Sequence, residues 1–171
     1  MSAFPDHPFW TFSLETYGKP GVSDACLELQ DRLVVDVNLL LFCLWCAKAG
    51  RATFGEAEMA ALLGQVEDWH ENVVKPLRKA RRRMKRGAEG VALDLVLDVR
   101  KRLSTIEIET EHLEQLLIAA AAGEGTSAPT DQSAEEVARA NVRVYFHAIG
   151  ARPDADDEAV LDQVLQAALE A

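Results

Sequence analysis

The stretch that decides the fold is residues 37–47, which read VNLLLFCLWCA. A helix made from this stretch is apolar on every face, apart from the single amide of Asn38. Because a helix that is apolar all round has to be surrounded by others, the stretch predicts a buried central helix over about residues 37–49. Asp36 is a suitable N-cap for it, and Gly50 suits the position after its last turn. With eleven residues, the stretch is too short for a membrane span, which needs about 20.

Helical patterns flank this central stretch on both sides, and no strand pattern occurs. Two Ser/Thr-x-x-Glu sequences have the spacing of capping boxes, in which the first residue caps a helix and the glutamate binds back to it. Proline at a first helical turn and aspartate just before a helix are further start signals. The expected starts lie near Pro8, Ser23, Thr53, Ser133 and Asp154.

The strongest periodic signal lies in residues 92–120, where apolar side chains recur at alternating intervals of four and three residues. This a/d pattern, interrupted only by Thr110, predicts one long helix packed lengthwise on a partner. The nearest partner is the helix just before it, kinked at Pro76, which gives a long helical hairpin over about residues 66–121. A second copy of the chain, paired along the Ala92–Ala120 seam, is the competing partner. The seam residues are Ala92, Val96, Val99, Leu103, Ile106, Thr110, Leu113, Leu117 and Ala120.

These patterns together predict an all-α protein, a compact bundle of five to seven helices. We expect the bundle domain to occupy residues 1–122, followed by a flexible linker at residues 123–132, which are rich in Gly, Ser, Thr and Pro. Residues 133–171 are expected to form an acidic helical tail, either as an appended helical pair or as a mobile arm.

The sequence favours a cytoplasmic protein without membrane contact. Its start has neither the basic nor the apolar region of a secretory signal. Its three cysteines lie in apolar helical patterns, which fits a reducing compartment better than a disulfide framework. Cys43 and Cys46 have C-x-x-C spacing, but no second pair completes a zinc ligand set, so small core residues are the simpler interpretation.

Three blocks in the first half of the chain occur in a specific order: FWxFSLxxY from Phe9, PGVxxACLxLQD from Pro20 and DVNLLLF from Asp36. A fourth block follows, in which Val73-Val74 and Pro76-Leu77-Arg78 lead into a basic run. Over about residues 8–118, this succession resembles an uncharacterised proteobacterial domain family of unknown function. The resemblance implies a compact helical fold, a bacterial source and a cytoplasmic location. It brings no activity, cofactor or catalytic residue.

Charge is unevenly distributed in this chain of net charge −10. Residues 75–102 carry eleven basic and three acidic side chains, whereas both flanking regions are acidic. In a helical hairpin, the cations before and after the turn merge into one surface that attracts anions. The candidate anion-binding residues are Lys75, Arg78, Lys79, Arg81, Arg82, Arg83, Lys85, Arg86, Arg100, Lys101 and Arg102.

This basic surface predicts a non-enzymatic interaction module that docks an anionic macromolecule: RNA, DNA or an acidic protein. No aromatic residue interleaves the run, so contacts to phosphates are expected rather than base stacking. The competing interpretations are a solvated face, a small anionic ligand, and an intramolecular partner for the acidic tail. A homo-oligomeric helical scaffold that uses the apolar seam is a further alternative.

A polar pocket is the second candidate site. Gln30, Asp31, Asp36 and Asn38 lie around the junction of the second and third helices, with Arg78 as a possible neighbour. Paired carboxylates carry out acid–base chemistry when their pKa values are driven apart. The simpler interpretation is that Asp36 caps the central helix and that Asn38 satisfies a loop amide.

A metal site is the third candidate. Bundles that bind two metal ions use Glu-x-x-His on two helices, and this spacing occurs at Glu67 and His70 and again at Glu109 and His112. The pairs suggest a metal-binding enzyme or sensor as an alternative function, although solvated helix faces explain them more simply. Beyond this alternative, the sequence predicts no cofactor and no catalytic residue.

Overall fold

The protein, described by a computed structural model over residues 4–129 and 131–170, is a bundle of helices. Helix α4 runs without a break through a π-helical segment into α5, so the described residues form seven continuous helices and no β-strand. The predicted all-α bundle of five to seven helices is therefore confirmed. The elements are α1 (Pro8–Tyr17), α2 (Val22–Leu33), α3 (Val37–Lys48), α4 (Glu56–Trp69), the π-helical segment (His70–Val74), α5 (Lys75–Met84), α6 (Leu93–Ala122), α7 (Ala134–Ala148) and α8 (Ala155–Leu169).

Helix α3 lies at the centre of the bundle, as its composition predicts. Ten of its twelve residues are buried, and helices α1, α2, α6, α7 and α8 pack around it. Phe9 of α1 meets Phe42 edge to face, with ring centroids 5.1 Å apart. Asp36 caps the helix by accepting a hydrogen bond from the backbone N–H of Asn38. No helix among the described residues has the length and apolar character needed to cross a membrane.

Two helix starts differ from the prediction. The N-cap of α4 is Gly55 rather than Thr53, and Glu58 accepts a hydrogen bond from the Gly55 N–H at 2.7 Å. The shift follows from a tertiary contact, because the N–H of Phe54 donates to the side chain of Asn141 in α7. Helix α2 begins at Val22, one residue before the expected cap, whereas the predicted caps of α7 and α8 are confirmed.

The expected tail belongs to the same core as the rest of the chain. Two backbone hydrogen bonds also connect residues 126–128 to the bundle: Ala52 donates to the Thr126 carbonyl at 2.7 Å, and Ala128 donates to that of Gly50 at 2.8 Å. The structure therefore does not separate residues 1–122, 123–132 and 133–171, because α7 and α8 each bury one apolar face against the bundle. The core residues of α7 and α8 are Val137, Ala138, Val142, Tyr145, Phe146, Leu161, Val164, Leu165 and Ala168.

The long hairpin is present and pairs the run from α4 to α5 with α6. The π-helical segment ends two residues before Pro76. Because proline lacks a backbone N–H and its ring clashes with the preceding turn, a regular α-helix cannot pass through this position undisturbed. The wider π-helical turn accommodates the disturbance, so the chain continues as a helix rather than breaking.

Most of the apolar seam of α6 faces solvent, although Val96, Leu103 and Thr110 are half-buried. Val99 is 42% exposed, Ile106 is 48% exposed and Leu117 is 41% exposed. The expectation that the seam packs on the preceding helix is wrong for most of its residues, because the inner face of α6 carries buried polar side chains such as Glu107 and Glu114. These side chains bind partners on α3, the π-helical segment and α5, and this polar pairing determines which face of α6 turns inward.

Candidate functional site

The inward cations of α5 are neutralised by carboxylates from α6. Arg81 forms a bidentate pair with Glu107, in which Nη2 of the arginine lies 3.0 Å from Oε1 of the carboxylate. Arg78 lies 2.6 Å from Glu111 and also donates to the side chain of Gln30. Glu107 is only 5% exposed, so this pairing is part of the interior. The basic run contains no acidic residue of its own, so the carboxylates that pair with Arg78 and Arg81 come from α6, the opposite helix of the hairpin.

The outward cations of α5 and of the turn that follows it have no such partners. Five residues within the eight positions 79–86 are exposed, and we call them the outer basic face. In the described part of the chain, the one acidic group within 4.0 Å of any of them is Asp31, at 3.8 Å from Arg82. A concentrated positive charge is therefore presented to solvent. The outer basic face consists of Lys79, Arg82, Arg83, Lys85 and Arg86.

The remaining predicted cations differ from one another in their ion pairs and in their exposure. Lys75 pairs with Glu71 one turn earlier, and Arg102 lies 3.3 Å from Asp98. Lys101 is exposed, and Arg100 is half-buried.

The acidic residues of α7 and α8 do not cover this surface. Over residues 131–170, no acidic side chain lies within 4.0 Å of a cation from residues 75–102. Asp154 and Asp157 instead bind Arg32 of α2, each at 2.9 Å.

A buried acid–histidine cluster joins α3, the π-helical segment and α6. It consists of Asp36, His70 and Glu114. Nδ1 of His70 lies 2.8 Å from Oε1 of Glu114 and 3.3 Å from Oδ2 of Asp36. Glu114 is fully buried, and the other two side chains are at most 12% exposed. His70 is the first residue of the π-helical segment, and such local widenings of a helix are frequent at functional sites.

Each carboxylate of the cluster has one oxygen fixed by the fold. Oδ1 of Asp36 accepts the capping hydrogen bond from the N–H of Asn38 at 2.8 Å. Oε2 of Glu114 accepts from the side-chain amide of Asn38 at 2.5 Å, and Gln115 in turn donates to the oxygen of that amide at 2.8 Å. The remaining oxygen of each carboxylate points toward His70. Asn38 thus orients both acids at once.

Burial shifts the protonation of the cluster. Desolvation, followed by the charge of Glu114, raises the pKa of Asp36 to about 7. For His70, desolvation opposes protonation, but the hydrogen bond to Glu114 and the two carboxylate charges outweigh it, so its pKa is raised. A buried carboxyl whose pKa is raised toward neutrality, as that of Asp36 is, is typical of functional sites.

Two cavities reach the cluster. The larger, of about 750 Å³, is lined by Asp36 and His70 together with residues of α4 and α7. The smaller, of about 290 Å³, is lined by His70, Gln30, Asp31 and Arg78. The four residues of the predicted polar pocket do not share one cavity, although Gln30 and Asn38 both line a third cavity of about 390 Å³. Asp36 belongs to the buried cluster, whereas Gln30 and Asp31 line the small cavity beside the outer basic face.

Of the four predicted metal ligands, only His70 lies in a group that could hold an ion. Glu67 and Glu109 are exposed, and His112 stacks on Trp10 with ring centroids 3.9 Å apart. Among the described residues, the side chains close enough to share a metal ion are those of the acid–histidine cluster. Sequence reasoning found His70 and Asp36 separately but missed Glu114, because no spacing rule connects residues from three different elements.

The cysteines are core residues. Cys26, Cys43 and Cys46 are buried and form no disulfide. Burial raises the pKa of Cys26 and of Cys46 to about 12, and that of Cys43 is also raised by burial. Because the thiolate is the reactive form, these thiols are unreactive where they lie.

The molecule is thus a helical protein in which a basic hairpin and a buried acid–histidine cluster adjoin at His70. Residues 8–118 match the family described as "Protein of unknown function (DUF2390)", and the chain belongs to that family. The predicted resemblance to an uncharacterised domain family is therefore confirmed, and the matched range includes the outer basic face and the whole acid–histidine cluster. No curated protein and no solved structure matches the chain significantly.

Proposed function

We propose that this chain is a non-enzymatic interaction module of the bacterial cytoplasm that binds the phosphate backbone of nucleic acid through the outer basic face. The observation that supports the proposal is the outer basic face, whose inward neighbours are paired with carboxylates of α6 while its own cations have only the exposed Asp31 within 4.0 Å among the described residues. The bacterial source rests on the family resemblance, and the cytoplasmic location rests on that resemblance and on the reduced, buried cysteines.

The arrangement of these cations favours a polyanion over solvent alone. Lys79 and Arg83 are four residues apart on α5 and therefore adjacent on the helix surface, and Lys85 and Arg86 follow directly after its last turn. Each like-charged pair at this spacing costs a helix about 0.2–0.5 kcal/mol, and a bound anion removes that cost. Nucleic acid presents closely and regularly spaced negative charges, which the closely spaced cations of the outer basic face match.

Contacts to phosphate are expected to dominate over contacts to bases. The exposed side chains of α5 include no aromatic residue on which a base would stack. Arginine supplies a planar fork that binds phosphate in a bidentate manner. We therefore expect binding with little sequence preference and a strong dependence on salt.

A fluorescence anisotropy titration with labelled duplex RNA, duplex DNA and single-stranded RNA, at 50 and 200 mM salt, tests the proposal. With about four phosphate contacts, affinity for the duplexes should fall about 100-fold between the two salt concentrations. Absence of binding at the lower salt concentration, or binding that does not depend on salt, contradicts the proposal. If polyglutamate competes as strongly as duplex RNA does, the partner of this surface is an acidic protein instead of nucleic acid.

A second candidate function, as a homodimeric scaffold, is favoured by the solvent-facing seam of α6. A heptad pattern of apolar residues is typical of helices that pair lengthwise, and Val99, Ile106 and Leu117 are left uncovered by the rest of the chain. Sedimentation velocity at micromolar concentration should then show a dimer. Ile106→Glu should give a monomer, whereas Leu27→Glu, at an exposed position of α2, should leave the dimer intact. A monomeric wild-type chain removes this candidate.

A further inference from the structure

The acid–histidine cluster has an unused ligand atom. Oδ2 of Asp36 is buried and has no hydrogen-bond partner, although it lies 3.3 Å from Nδ1 of His70. Nδ1 is directed instead at Glu114, at 2.8 Å. A buried polar atom without a partner costs free energy, and a buried carboxylate oxygen is a strong case. A cation placed between the three side chains removes this cost.

We infer that Asp36, His70 and Glu114 bind one divalent transition-metal ion through Oδ2, Nδ1 and Oε1, respectively. These three ligand atoms all lie within 4.8 Å of one another. Metal–ligand bonds of about 2.0–2.2 Å place neighbouring ligand atoms about 2.8–3.1 Å apart at octahedral angles and about 3.3–3.6 Å apart at tetrahedral angles. The distances of 2.8 and 3.3 Å from His70 to its two neighbours are close to these separations.

The surroundings of the cluster resemble those of a metal site rather than an accidental group of polar residues. Metal ligands are usually oriented by hydrogen bonds from a second layer of side chains. Here Asn38 holds the outer oxygen of both carboxylates, and Gln115 holds Asn38. To bind an ion, the cluster therefore has to move only His70 and the two carboxylate oxygens that face it.

The donor set limits which ions fit. One imidazole nitrogen and two carboxylate oxygens suit Mn²⁺, Fe²⁺, Co²⁺ or Zn²⁺ better than Mg²⁺ or Ca²⁺, which prefer oxygen ligands. Two carboxylates with a neutral imidazole balance the charge of a divalent ion. For the ion to bind, the proton on Nδ1 of His70 leaves to solvent, and the nitrogen lone pair forms the bond to the metal.

Three protein ligands leave coordination positions open, as in metal sites that bind further molecules. Asp36 and His70 border the cavity of about 750 Å³, so those positions face a space large enough for water or a small ligand. Lys75 also lines this cavity. The site uses none of the residues of the outer basic face and is independent of the proposed binding of nucleic acid.

Isothermal titration of the chelator-treated, dialysed full chain with Zn²⁺, Mn²⁺ and Co²⁺ tests the inference, together with the metal content of protein purified without chelators. We expect one ion per chain and a loss of affinity of at least tenfold in Asp36→Asn and in Glu114→Gln. Asparagine at position 36 still offers an oxygen to cap α3, so this variant should fold. Glu67→Gln removes an exposed carboxylate one turn from His70 and should bind as the wild type does.

Circular dichroism shows which variants are folded, and only folded ones are compared. If the wild type takes up no ion in stoichiometric amount, the inference is overturned whatever the variants do. Equal affinity of wild type and folded Asp36→Asn also overturns it, because the ion then binds elsewhere.

Discussion

Nη2 of Arg81 and Oε1 of Glu107 lie 3.0 Å apart across the helical hairpin, and the carboxylate in this pair is almost completely buried. The pair divides the basic run of α5 into two groups. The inward arginines hold the hairpin together, and the outward cations remain available for binding. A substitution within the run therefore has a different effect on each side of the helix.

The inward pairing predicts a large loss of stability when its carboxylate is removed. Glu107→Gln leaves Arg81 and Arg78 without their shared partner, and the loss of one member of a buried pair costs about 3 kcal/mol. Urea unfolding measures this loss. Asp98→Asn breaks an exposed pair with Arg102 and should cost less than about 0.5 kcal/mol. Equal effects of the two substitutions contradict the assignment of Glu107 to the interior.

The acid–histidine cluster predicts that stability falls as pH rises through neutrality. The pKa of Asp36 is near 3.8 in the unfolded chain and about 7 in the folded protein, so folding takes up a proton between these values. The associated stability is present below pH 4 and is lost as pH rises through 7. The raised pKa of His70 acts in the same direction above pH 6.5. As pH rises from below 4 to above 7, the two groups together should lower the free energy of unfolding by a few kcal/mol.

Asp36→Asn separates this effect from the other titrations of the molecule. The variant lacks the ionising group, so its free energy of unfolding should decline less between pH 5 and pH 8 than that of the wild type. Urea unfolding at pH 5, 6, 7 and 8 measures both curves, with Glu67→Gln as a control that should parallel the wild type. Parallel curves for Asp36→Asn and wild type mean that Asp36 does not titrate in this window.

Tyr145 links α7 to the start of α3, which predicts a modest and specific cost of removing its hydroxyl. The hydroxyl oxygen accepts a hydrogen bond from the Asp36 N–H at 2.7 Å and is buried. Tyr145→Phe leaves that N–H without a partner, so we expect a loss of about 1–2 kcal/mol by thermal or urea unfolding. Tyr17→Phe, at a half-buried residue of α1, should change stability by less than about 0.5 kcal/mol. The opposite ranking contradicts this account.

The packing of α7 and α8 predicts that the chain does not fold without them. Truncation after Gln132 removes both helices and uncovers α3, against which they pack. We expect the fragment to lose its cooperative thermal transition and its near-ultraviolet circular dichroism. A cooperative transition in the fragment supports instead the division into a 1–122 domain and a tail that the sequence suggests.

The sequence predicts the helices well because their signals are local. Residues 37–47 are apolar on all faces, and Asp36 supplies a cap within one turn, so both the existence and the burial of α3 follow from neighbouring residues alone. The starts of α7 and α8 are confirmed for the same reason. Thr53 fails as a cap only because α7, far away in the chain, binds the backbone at Phe54.

The candidate site could not be predicted because it depends on contacts between distant segments. The apolar period of α6 marks a face that would normally turn inward, yet Glu107, Glu111 and Glu114 turn inward instead, because Arg78, Arg81 and His70 lie opposite them. In the sequence alone, nothing distinguishes these six residues from the other ionisable residues of the chain. Only the register of the hairpin shows which cations are paired and which remain on the outer basic face.

The binding of nucleic acid is tested most directly by comparing two double variants of equal net charge. Arg83→Gln with Arg86→Gln neutralises part of the outer basic face, and Arg143→Gln with Arg152→Gln neutralises two exposed arginines elsewhere. The measurement is the slope of log affinity for duplex RNA against log salt concentration. We expect the first variant to lose about two units of slope and the second to match the wild type. The same slope and affinity in both variants would contradict binding through the outer basic face.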